Sequence, residues 1–169
     1  MIKSITQQFS EHTNLLDLQP EITPGAEAYT MFNTGGVEAE VGEFLYSLVR
    51  VIKPRIILET GTHLGVSAAY MAAACEANQV GVIHTYEVIP SLQQSALMLW
   101  AELDLMRPIC PHLVSSLEAE LPKPDSLDLL FLDSEPQFRF DELLRFWPCL
   151  RPGALIVVHD LCLLYTSPS

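Results

Sequence analysis

The chain alternates between apolar runs of strand character and segments whose apolar positions recur at helical spacing. Val37, Val41, Leu45, Leu48 and Ile52 recur at three- and four-residue intervals, the period of an amphipathic helix, and Pro54 ends it. "RIILET" (55–60) then predicts a short strand, and the alanine-rich "GVSAAYMAAACEA" (65–77) predicts a helix. The pattern continues through strand "VGVIHTYEV" (80–88), a helix over 91–104, strands "ICPHLV" (109–114) and "LDLLFLD" (127–133), a helix over 137–147 and strand "ALIVVHD" (154–160). Strands separated by helices call for right-handed crossovers and therefore a parallel sheet, here preceded by helical segments. No internal repeat or low-complexity linker interrupts it.

Composition supports one buried sheet. The 169 residues suffice for a single ordinary domain, and 49% hydrophobic against 18% charged residues suits a sheet covered on both faces. Apolar stretches such as "SAAYMAAAC" fall short of the ~20 residues that cross a bilayer, and "MIKSITQQFS" lacks the apolar centre of a signal peptide. A cytoplasmic protein with no membrane partner is expected. Cys75, Cys110, Cys149 and Cys162 lie far apart without a CxxC pair, which predicts reduced thiols rather than zinc. A net charge of −12 with scattered Lys and Arg argues against a nucleic-acid partner.

Ligands of such sheets sit beyond the carboxyl ends of the strands. Every predicted strand here ends in polar residues at that edge: Glu59 and Thr60, Glu87, Ser115 and Ser116, Asp133, then His159 and Asp160. One acid there is unremarkable, because acids also cap helices, but five such ends together mark a site. The first loop, "ETGTHLG" (59–65), has Thr62 where a GxGxxG dinucleotide fingerprint has its middle glycine, so a pyrophosphate cradle and a nicotinamide oxidoreductase are disfavoured. Glu59 beside the loop suits a ligand bearing an ammonium group. Glu87, 26 residues after Gly61, is placed to accept from ribose hydroxyls. Ammonium plus ribose without phosphate describes S-adenosylmethionine.

The motifs "LETGTHLGVSA", "HTYEVIP", "LVSSLEAELP" and "LDLLFLDSEPQFRFDELLRFWPCLRPGALIVVHDL" resemble those of the class I S-adenosylmethionine-dependent methyltransferases, in the small-molecule O-methyltransferase-like branch, over residues 37–161. The resemblance implies a Rossmann-like three-layer α/β/α fold with parallel sheet order 3-2-1-4-5. It implies that Gly61, Thr62 and Gly65 line the methionine moiety, that Glu87 takes the ribose and Ser116 the adenine edge, and that Ser67 and Asp133 also border the cofactor. Glu59 holds the loop or reaches the amino group through water.

Transfer of a methyl group to a hydroxyl of a small-molecule acceptor needs alignment and removal of a proton, by a base or by a divalent cation. The resemblance makes Asp133, His159 and Asp160 the catalytic candidates, with Asp133 and Asp160 as ligands for magnesium or a similar ion. Leu161 and Pro136 stand where related enzymes carry an asparagine ligand and a histidine, which leaves the metal open. His159 is a ligand, a base or a hydrogen-bonded residue at the sheet edge. His63 shapes the loop, and His84 and His112 read as satisfied strand residues.

Residues 1–36 read as a lid or substrate-side segment. "CLLYTSPS" (162–169) breaks the pattern and resembles a translated sequencing adapter. The expected domain is thus truncated, with its C-terminal strands missing and an apolar edge that favours homo-oligomers. The alternative to an active enzyme is a remnant that binds cofactor without turnover.

Overall fold

The structure, a computed structural model, describes residues 3–16, 18–21, 29–32 and 36–160. Helix α1 (Ile5–His12) is followed by β1 (Leu18–Glu21) and β2 (Tyr29–Phe32), which pair antiparallel. This ribbon is not anticipated by the helical segments expected there. The main body runs α2 (Ala39–Ile52), β3 (Ile56–Thr60), α3 (Val66–Asn78), β4 (Val82–Glu87), α4 (Pro90–Glu102), β5 (Ile109–Leu113), β6 (Leu127–Leu132), α5 (Arg139–Phe146) and β7 (Leu150–Val158).

Its five strands are all parallel in the order β5-β4-β3-β6-β7, the expected 3-2-1-4-5. Alternation along each strand sends successive side chains to opposite faces. Ile57, Ile83, Leu129 and Phe131 pack with Val49 of α2, Ala69 of α3 and Trp100 of α4. Leu58, Tyr86, Leu130 and Leu132 pack with Phe146 of α5 on the other side. Three layers result, as in Rossmann-like folds.

The departures from expectation are local. Val37 is buried but precedes α2, whose inward stripe is Ala39, Gly42, Leu45 and Val49. Strand β7 begins at Leu150 rather than at 154, because the Pro152–Gly153 stretch is taken up by an irregularity in its pairing with β6. Cys75 and Cys149 are buried and Cys110 is half-buried, all as free thiols. Cys162 and the tail 162–169 lie outside the described residues. Among the described residues no helix is long and apolar enough to cross a membrane.

Candidate functional site

Because the five strands are parallel, their carboxyl ends open on one edge. A cavity of about 680 Å³ lies there, lined by Gly61, Thr62, Ser67, Glu87, Ser116, Asp133, His159 and Asp160. Glu59 and Gly65 are not among its lining residues.

The loop after β3 explains both exceptions. The amides of Gly61 and Thr62 donate to the Tyr86 carbonyl (3.2 and 3.0 Å), and the Gly65 amide donates to the Thr62 carbonyl (2.8 Å). At Gly61, with φ of 84°, a Cβ would lie 2.5 Å from the Asp133 carbonyl oxygen. At Gly65, with φ of 78°, it would strike the Trp100 indole, whose Nε1 donates to the Gly65 carbonyl at 2.8 Å. Gly65 is therefore required for packing against α4 and for a left-handed turn. Glu59 is fully buried behind the loop. It accepts the hydroxyl of Ser67 and that of Thr85, the latter at 2.6 Å, and burial pushes its carboxyl up to about 8. Of the two roles expected for it, the geometry matches holding the loop.

Glu87 is positioned by backbone donors. The amide of His63 reaches one carboxylate oxygen at 2.8 Å and those of Val88 and Ile89 reach the other at 2.9 Å. The three bonds fix its orientation at the end of β4 with its carboxylate bordering the cavity. Ser116 borders the cavity and its hydroxyl donates to Glu142, which also accepts from Thr60 Oγ1 (2.9 Å) and Ser134 Oγ (2.6 Å). Glu142 thus ties the ends of β3, β5 and β6 together.

The catalytic candidates form a clamp. His159 Nδ1 lies 2.8 Å from Asp133 Oδ1 and its Nε2 lies 3.0 Å from Glu38 Oε2. Carboxylates that face both ring nitrogens require both to donate, so the ring is an imidazolium. The bond to Asp133 is the main cause that raises its pKa to about 9, against the opposing effect of burial. Burial holds the Asp133 carboxyl above its ordinary range, opposed by the hydrogen bond from His159 and by the charges of His159 and Arg139. Arg139, itself buried, stands 3.7 Å from Asp133 Oδ1 and donates to the carbonyls of Ser134 (2.8 Å) and His159. Asp160 is exposed, with Oδ2 3.6 Å from His159 Nδ1.

Arg139 and His159 flank Asp133, one of the two carboxylates expected to hold a divalent cation. Asp133 faces an imidazolium and a guanidinium, which would repel a dication. Ligand atoms of Glu38, His159 and Asp160 lie within 4.8 Å of one another.

Glu38, Arg139 and Glu142 were missed from sequence. The signal for the last two lay on α5, where Arg139, Glu142 and Phe146 share the buried face at helical spacing. Glu38 carried none, since its partner lies 121 residues away. His84 and His112 stay outside the cavity as expected, half-buried with ring nitrogens 3.0 Å apart and with Tyr86 stacked on His112.

Residues 58–161, more than half of the chain, match the family model described as a methyltransferase domain. The chain belongs to that methyltransferase family. A protein of Mycobacterium sp. (strain JLS) named "Putative O-methyltransferase" is 30% identical over 132 residues, which cover 76% of this chain and 59% of the relative. Two solved structures share the methyltransferase fold. The O-methyltransferase TomG from Streptomyces achromogenes, involved in tomaymycin synthesis and in complex with SAM, has a TM-score of 0.67 and 25% identity, over 79% of this chain and 63% of that one. The O-methyltransferase from Bacillus cereus in complex with SAH has a TM-score of 0.58 and 25% identity, over 73% and 57%. The methyltransferase chain described here spans about three fifths of the length of these relatives.

Proposed function

We propose that the protein binds S-adenosylmethionine and transfers its methyl group to an oxygen of a small molecule. The observation that carries this reading is Glu87, a carboxylate held by three amides at the end of β4 and bordering the same cavity as the Gly61–Thr62 turn. A carboxylate so placed suits paired ribose hydroxyls, and Thr62 stands where a pyrophosphate-binding loop has its middle glycine. The TomG and Bacillus cereus structures, which hold SAM and SAH, support the same cofactor.

When bound, that cofactor supplies an electrophilic methyl on sulfur. The protein's part is to align an acceptor oxygen and take its proton. His159, already protonated, orients the strand ends rather than serving as base. Asp160 is the carboxylate next to it that is open to a hydroxyl. A second reading, cofactor binding without turnover, is favoured by the carboxylates that engage both ring nitrogens of His159 and leave it no free nitrogen to act as a base. Calorimetric titration with S-adenosylhomocysteine tests the cofactor assignment: tight binding by the wild type that Glu87→Ala weakens supports it, and equal affinity removes Glu87 from the site. Accumulation of S-adenosylhomocysteine with an acceptor separates the two readings.

A further inference from the structure

Glu142, 1% exposed on α5, is the meeting point of three hydroxyls. Its Oε2 accepts from Thr60 Oγ1 at 2.9 Å and from Ser134 Oγ at 2.6 Å, and its Oε1 accepts from Ser116 Oγ. A carboxylate only accepts, and a hydroxyl has one hydrogen and two lone pairs. Each of the three hydroxyls therefore gives its hydrogen to Glu142. Thr60 is fully buried, whereas Ser116 and Ser134 also line the cavity. Toward the cavity these two oxygens have only lone pairs to present, so a polar group that bonds to them has to be a donor.

The surroundings of Ser116 narrow the kind of donor. Val114 and Leu117 of its own segment line the cavity, as does Phe138, one helical turn ahead of Glu142. Apolar walls with one aimed acceptor suit a flat heteroaromatic ring that carries an N–H at its edge, whereas an ammonium there would lose its water. In the cofactor proposed above, that ring is adenine and the donor is its 6-amino group. Glu87 ends β4, which pairs with β5, so a ribose held by Glu87 has its base beside the segment that follows β5.

We propose that Glu142 is a positioning residue that fixes Ser116 Oγ as an acceptor, and that the cavity thereby selects a 6-aminopurine over purines without that amino group. This rests on the cofactor reading for the identity of the ring; the direction of the hydroxyls follows from Glu142 alone.

The test is calorimetric titration with S-adenosylhomocysteine and two counterparts, one with hydrogen and one with oxygen in place of the 6-amino group. The wild type should bind the amino compound at least about tenfold tighter than either, because Ser116 loses its donor in the first and meets an opposing acceptor in the second. In Glu142→Gln the amide oxygen can keep Thr60 and Ser134 while its NH2 donates to Ser116, which frees the Ser116 hydrogen to face the ligand. The oxo compound should then gain at least about tenfold relative to the amino compound, whereas loss of a structural support would weaken all three alike. Ser116→Ala should remove the preference. Glu118→Gln, at an exposed carboxylate that also lines the cavity, should leave it in place. Equal binding of the three compounds by the wild type, a preference that survives Ser116→Ala, or one that Glu118→Gln removes overturns the proposal and leaves the cofactor reading standing. An unchanged ranking in a folded Glu142→Gln overturns it as well, and if that variant does not fold, Ser116→Ala decides. Binding of none of the three overturns the cofactor reading, and the proposal falls with it.

Discussion

Replacing Glu59 with glutamine should change how stability depends on pH. Burial raises the folded pKa of this carboxyl from 4.5 to about 8, while in the unfolded chain it titrates near its ordinary value. An acid held protonated in the fold contributes stability that is complete below pH ~4.5 and is lost as pH rises toward ~8, because the unfolded state releases its proton first. The loss runs at up to about 1.4 kcal/mol per pH unit, and over the full interval reaches on the order of 5 kcal/mol as an upper limit. Glutamine keeps the shape of the protonated acid and can bond Ser67 and Thr85 without ionising. Urea unfolding of wild type and Glu59→Gln at steps between about pH 5 and about pH 8 reads the effect as a difference, which cancels groups common to both. The wild type should lose ground to the variant steadily as pH rises. A constant difference would mean that Glu59 is ionised throughout, and a difference that grew in favour of the wild type would mean that the two hydroxyls outweigh burial.

Glu87→Ala should weaken S-adenosylhomocysteine binding by about 1–3 kcal/mol in calorimetry, through loss of charge-assisted hydrogen bonds. Gly65→Ala should destabilise the fold by at least ~2 kcal/mol in denaturant, since its Cβ meets Trp100 at a left-handed position, yet the folded fraction should keep its cofactor affinity. A chain that stays stable but loses affinity would return Gly65 to the ligand site. NMR titration should find the His159 ring still charged at pH 7.5, about the middle of the window between its unfolded value and ~9 over which the clamp's contribution is lost as pH rises; Asp133→Asn should lower that pKa. Among the described residues β7 pairs only with β6 and exposes Leu155 and Ile156, so the chain should associate in light scattering, and Ile156→Lys should suppress the association.

Periodicity and chain handedness were enough to determine the sheet. Alternating strand and helix segments joined by right-handed crossovers leave few orders, and parallel strands place all their carboxyl ends on one edge. The polar residues that end the strands, Glu87, Ser116, Asp133, His159 and Asp160, were therefore bound to meet around one cavity whatever the loops did. Which of them face a ligand and which face each other was decided only by tertiary packing. Glu59 and Thr60 are neighbours in sequence, yet the pleat sends Glu59 to Ser67 and Thr85 on the α3 side and Thr60 to Glu142 on the α5 side. Gly65 reads in sequence as a loop glycine, and only the fold shows Trp100 of α4 packed against it. The charge state of His159 follows from Glu38 and Asp133, 121 and 26 residues away, and no local pattern brings those three together. A repeat in sequence defines a face because the backbone period is fixed, whereas the pairing of charges across that face depends on how helices and loops from distant parts of the chain close over it.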